Sequence, residues 1–115
     1  MEKETATRIF ASLSSGIRLD VYRLLIKAGP SGMVAGEIAA SLDMPSTNLS
    51  FHLKELTQNG LLYVVQEGRF HRYRPHLPLM LELIAYLTEA CCEGHPERCI
   101  HIVSGVGEAQ TREDK

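Results

Sequence analysis

A mainly α-helical fold with one small β-hairpin is predicted by three observations. Apolar residues recur at helical spacing in several separate segments of the 115-residue chain. A helix led by Pro45 runs to an Asn59-Gly60 stop, and a short apolar strand over residues 61–65 follows at once. A Glu67-Gly68 turn then leads into a second strand that carries Arg69, His71, Arg72 and Arg74. A helix feeding a basic hairpin suits the reading of a duplex. The helix fits a major groove, and the hairpin arginines reach phosphates or the minor groove.

The elements follow in chain order. Residues 2–13 read as a first helix with Ile9, Phe10 and Leu13 on one face. Ser14 or Ser15 caps a second helix that runs to Lys27, with Ile17, Val21, Leu24, Leu25 and Ile26 as its apolar set. Ala28-Gly29-Pro30 stops it. Residues 37–42 form a short helix with Ile38, Ala39 and Leu42 facing inward. After the Asp43-Met44-Pro45 turn, Leu49, Leu53 and Leu56 stand at spacings of four and three, so they pack on the core. Ser46, Thr47, Ser50, Phe51 and Lys54 then face elsewhere. The last helix starts at Leu77 and runs to about Cys92. Its apolar face of Leu79, Met80, Leu83, Ile84 and Leu87 is too wide for a lone surface helix and implies a second copy. The expectation is a winged helix-turn-helix, mainly α with a two-stranded hairpin wing, dimeric through its first and last helices. Residues 1–92 would form the DNA-binding and dimerisation domain, 91–104 a ligand-binding segment, and 105–115 a disordered tail.

Composition narrows the function. The formal charge is −2 and the pI about 6.2, which speaks against a uniformly basic surface. The distribution speaks the other way. Residues 61–76 carry three Lys/Arg against one acid, whereas residues 77–115 carry three against seven. The acid lies mostly away from the helix and hairpin, leaving room for a local positive surface. The start, MEKETATR, holds no apolar run of a secretory signal. Residues 77–87, the longest apolar stretch, are broken by Pro78 and Glu82 and are too short to span a bilayer. A cytoplasmic protein with reduced thiols and no membrane partner is expected. No phosphate loop, nucleophile elbow or dinucleotide fingerprint is present, so no enzyme is expected.

Three segments carry a resemblance: SSGIRLDVYRLL (14–25), GEIAASLDMPSTNLSFHLKELTQNGLL (36–62) and the basic wing EGRFHRYR (67–74). They resemble the ArsR/SmtB family of winged-helix, metal-responsive bacterial repressors, over about residues 9–87. The resemblance implies a homodimer on double-stranded operator DNA. Ser46, Thr47, Asn48, Ser50 and His52 would contact bases in the major groove, Lys54 a phosphate, and Arg69 and Arg72 the DNA beside the wing. The competing reading is a solvated amphipathic helix and a solvated charged hairpin. His52 has a further alternative, a hydrogen-bonded and half-buried histidine beside Leu53. Phe51 either meets a thymine methyl or packs locally. Residues of one strand alternate between faces. Arg72 and Arg74 therefore share one face with Phe70, and Arg69, at the wing tip, is the strongest single candidate for contact.

The run LTEACCEGHPERC (87–99) resembles the C-terminal inducer site of an arsenic-responsive branch of that family. The founding pattern of a Cys-x-Cys pair before the turn is missing, since residues 33–37 read Met-Val-Ala-Gly-Glu. Three thiolates, Cys91, Cys92 and Cys99, make a soft, anionic, three-coordinate site that suits trivalent arsenic or antimony as inducer. Zinc ranks below them, with His95 and His101 as added ligands. A redox or persulfide response of the same thiols is a further alternative, as are three incidental thiols. From other classes, a thiol enzyme using Cys91-Cys92 and a winged-helix protein–protein module remain. The first is disfavoured because a helix C-terminus raises a thiol pKa rather than lowering it. The second has no need of arginines on the wing.

Overall fold

The computed structural model describes residues 1–90. The elements in order are α1 (Lys3–Leu13), α2 (Gly16–Ala28), β1 (Met33–Val34), α3 (Ala35–Leu42), α4 (Ser46–Gln58), β2 (Leu62–Glu67), β3 (Phe70–Pro75) and α5 (Leu77–Thr88). The expected segments after residue 90, including Cys91, Cys92 and Cys99, lie outside the described residues. Residues 1–83 make one unit, and a second begins at Ile84.

The first unit forms around a core that the helical spacing foretells. Ile9, Val21, Leu25, Ile38, Leu49, Leu53, Leu56, Leu61, Leu62 and Leu83 are all buried. Each such side chain contributes about 1.5–3 kcal/mol by leaving water. Ser15 caps α2 as expected, its hydroxyl accepting from the Arg18 amide at 3.3 Å. At the start of α3 the Glu37 carboxylate accepts from the Val34 amide at 3.0 Å. Asp43 closes α3 in the left-handed region at φ 50°, which turns the chain toward α4.

Three expectations are corrected. Phe10 does not join the core, being 48% exposed; the inward face of α1 is Ala6, Ile9 and Ser12. Ile17 and Ile26 are also exposed, and Tyr22 takes the inward place beside Val21 and Leu25. Both errors come from adding every apolar residue to one stripe, although a packed helix face is narrower than that. The third correction concerns the sheet. The β2–β3 hairpin does not stand alone, because β1 adds a strand in the antiparallel order β1-β3-β2. Met33 pairs with Tyr73 and Val34 with Arg72. Gly32 makes this possible. It sits at φ 65°, and a Cβ there would overlap the Tyr73 carbonyl oxygen and come within 2.8 Å of Arg74 Cγ.

Helix α5 ends at Thr88, sooner than expected, and Glu89 and Ala90 form a turn. The wide apolar face predicted for it divides in two. Leu83 is buried and Leu79 and Met80 are half-buried, whereas Ile84 and Leu87 are exposed. Leu77 and Leu81, not expected on that face, join them in an exposed stripe at spacings of four and three along the helix. Among the described residues no helix is long and apolar enough to cross a membrane.

Candidate nucleic-acid interface

Helices α3 and α4 and the turn between them hold the candidate reading surface. The Met44 amide donates to Ala39 O at 3.1 Å, and Pro45 fixes the entry to α4, its carbonyl accepting from Leu49 at 3.1 Å. Leu49, Leu53 and Leu56 anchor one face of α4 in the core. That burial turns the remaining faces outward. Ser46, Thr47, Asn48, Ser50 and Lys54 are all exposed. Phe51 is 62% exposed, so it does not pack into the core. No acidic side chain stands among the exposed residues 46–54. The surface offers hydroxyls, an amide and an ammonium, groups that donate to phosphates and base edges, with the acids Asp43 and Glu55 only at its ends.

His52 differs from these neighbours. It is half-buried, and its Nδ1 lies 3.3 Å from Nη1 of Arg18 on α2. Its ring meets Phe51 edge to face, with centroids 5.5 Å apart. Arg18 also donates from Nε to the Ser12 carbonyl of α1 at 2.7 Å. Arg18 thus joins three helices at one guanidinium. Sequence reasoning left Arg18 unassigned. Its partner His52 lies 34 residues away, and no local period marks such a pair.

At the C-terminal end of α4, Gly60 takes φ 81° and the chain enters β2. The His76 ring donates from Nδ1 to the Gly60 carbonyl at 3.1 Å, which ties the start of α5 to that turn. The wing turn is Gly68-Arg69, with Gly68 at φ 62° and the Gln66 amide donating to its carbonyl at 3.1 Å. The three wing arginines stand in different surroundings. Arg69 is exposed at the tip, beside Phe70. Arg72 forms an ion pair with Glu67 at 3.0 Å and donates from Nη1 to the Ser31 carbonyl at 3.3 Å. Arg74 is half-buried, and its Nε has no hydrogen-bond partner among the described residues. Neighbouring Tyr73 is partly buried, and burial raises its pKa above the ordinary tyrosine value.

The described residues contain no group of three or more His, Cys, Asp or Glu side chains placed to hold a metal ion. Residues 33–37, where the founding pattern would put two thiols, form β1 and the start of α3 without one.

Residues 13–65 match the helix-turn-helix domain family. Solved structures share the fold over most of the chain. HlyU from Vibrio cholerae is 25% identical, with a TM-score of 0.60 over 76% of this chain and 97% of that one. An ArsR-like transcriptional regulator from a Rhodococcus species is 23% identical, with a TM-score of 0.69 over 90% and 92%. A homodimeric winged helix-turn-helix DNA-binding domain from Mycobacterium bovis, of a possible ArsR-family regulator, is 24% identical. Its TM-score is 0.60 over 80% and 85%. The matched residues span α2 to β2, and the solved structures share the winged-helix fold around them.

Proposed function

We propose that this chain is a homodimeric ArsR-type repressor that holds double-stranded operator DNA and releases it when trivalent arsenic or antimony binds Cys91, Cys92 and Cys99. The observation that carries the DNA part is the outward face of α4. Ser46, Thr47, Asn48, Ser50 and Lys54 are exposed together, on a helix whose opposite face is locked by three buried leucines. His52 adds a ring nitrogen to the base-reading set, and Lys54 and Arg69 take phosphates. Arg72 contributes less, because its charge is paired with Glu67. In a dimer, two such helices read half-sites about one helical turn apart.

The exposed stripe of Leu77, Leu81, Ile84 and Leu87 favours a dimer, since a monomer would leave it in water. The homodimeric state of the Mycobacterium bovis domain agrees with it. The inducer reading rests on the donor set. Three thiolates in nine residues supply soft, anionic ligands and match the three-coordinate preference of trivalent arsenic and antimony. Cys91 follows Thr88, the last residue of α5, by three positions. A ligand held there acts next to the helix that carries the apolar stripe. The induced loss of DNA affinity is bounded by the preference of the ligand for the DNA-free state, typically 1–3 kcal/mol.

A DNA-release titration with arsenite, antimonite, zinc, cadmium and a persulfide donor in parallel tests the whole reading. Release by arsenite or antimonite is expected. Release by zinc alone, or by the persulfide donor alone, would replace the metalloid and keep the repressor. A chain that fails to bind its own upstream promoter DNA would remove the repressor as well.

A further inference from the structure

The bond between Arg18 and His52 has a chemical consequence for the DNA-facing helix. A guanidinium carries only donors and stays protonated. At 3.3 Å from Arg18 Nη1, His52 Nδ1 therefore accepts. A ring that accepts at Nδ1 is neutral and keeps its single hydrogen on Nε2. The ring makes no other hydrogen bond among the described residues. Resting on the DNA-binding reading above, we propose that Arg18 is a positioning residue that sets His52 as an Nε2–H donor toward an acceptor atom on DNA.

The surroundings support a set position rather than a passing contact. Arg18 is anchored at both ends of its fork: Nε donates to Ser12 O at 2.7 Å, and Nη1 meets the imidazole. Ser12 is buried in α1, so the carbonyl that fixes the guanidinium belongs to an ordered helix. His52 stands two residues after Ser50 and two before Lys54, both exposed, with exposed Phe51 at its edge. Its backbone is held by buried Leu49 and Leu53 on either side. The acceptors that a single N–H meets in the major groove are guanine N7 and O6, adenine N7 and thymine O4, and along the backbone phosphate oxygen. A donor at this point selects against the N6 and N4 amino groups of adenine and cytosine.

Two measurements test this. Long-range 1H–15N NMR of the DNA-free protein reads the tautomer of the neutral His52 ring directly. Nε2–H is expected, and Nδ1–H would overturn the proposal whatever the protein does with DNA. Binding to promoter DNA is then compared across variants. His52→Gln keeps an N–H near the Nε2 position and should bind within about threefold of the parent, whereas His52→Asn should lose roughly tenfold, the scale of one hydrogen bond. Arg18→Met should lose about as much as His52→Asn and show a mixed tautomer, with Arg18→Lys between them. Thermal unfolding identifies any variant that fails to fold, and the tautomer of the parent still decides the matter. A loss confined to one base position identifies a base acceptor, and a uniform loss across sequences identifies a phosphate. His52→Asn binding as tightly as the parent would refute the donor. A parent protein that shows Nε2–H yet binds no DNA would refute the DNA-binding reading and the donor's target, leaving the Arg18–His52 tautomer standing.

Discussion

Nε of Arg72 lies 3.0 Å from each carboxylate oxygen of Glu67, diagonally across the β2–β3 ladder. The pair is partly exposed and contributes less than about 1 kcal/mol to stability. Its weight falls on the wing's charge. Of the two wing arginines in the proposed DNA contact, Arg72 is paired with Glu67, and Arg69 is exposed at the tip with no ion pair among the described residues. Arg69→Ala should flatten the salt dependence of DNA binding by about one unit. Arg72→Ala should change it less, and Glu67→Gln should steepen it by releasing Arg72. Equal effects of Arg69→Ala and Arg72→Ala would show that Arg72 abandons Glu67 for DNA.

Gly32→Ala should destabilise the protein by more than about 2 kcal/mol, the scale of a forced left-handed residue together with a backbone clash. The added Cβ meets the Tyr73 carbonyl, which belongs to the β1–β3 pairing. Urea unfolding measures it, and an unchanged midpoint would contradict the close approach.

The Tyr22 hydroxyl is buried and has no hydrogen-bond partner among the described residues. Burial raises its pKa above the ordinary tyrosine value of about 10. A group whose pKa is raised on folding contributes its stability below the unfolded value, and that contribution falls as pH rises through the folded value. The protein should therefore weaken above about pH 10. Tyr22→Phe should be neutral or stabilising by up to about 1 kcal/mol at pH 7, since it removes an unpaired buried hydroxyl. It should also reduce the alkaline loss, with Tyr73 accounting for part of what remains. Denaturant midpoints at pH 7 and pH 10.5 for both proteins decide this. A strong loss in Tyr22→Phe at pH 7 would mean the hydroxyl has a partner in solution.

Leu81 is 56% exposed in the middle of the α5 stripe. Leu81→Glu should convert a dimer at micromolar concentration into a monomer with the same far-ultraviolet circular dichroism. Sedimentation equilibrium reads the change. A variant that remains dimeric would place the interface elsewhere.

Replacing any one of Cys91, Cys92 or Cys99 by serine should leave DNA affinity within about twofold and abolish release by arsenite, because two thiolates cannot complete a three-coordinate site. Fluorescence anisotropy of labelled DNA follows both quantities. Release that survives in all three single variants would dismiss the site.

Local pattern alone determined the helices and the direction in which α4 is set. Leu49, Leu53 and Leu56 repeat with the helical period, and a period is written in neighbouring residues. Ser15 and Asn59-Gly60 mark element ends by backbone preferences that act within one turn, whereas the wing turn falls one residue later than the expected Glu67-Gly68, at Gly68-Arg69. The exposed candidates Ser46, Thr47, Asn48, Ser50 and Lys54 followed from the leucines by exclusion. What only the tertiary structure decided are the pairings between distant segments. Strand β1 is two residues long, too short for a period, and exists because Gly32 lets the chain lie against β3. Arg69, Arg72 and Arg74 look alike in sequence, yet Glu67 and the folded surroundings of Arg74 separate them. Arg18 meets His52 only because α1, α2 and α4 pack at one point. Such contacts depend on where whole elements come to rest, and no local spacing encodes that.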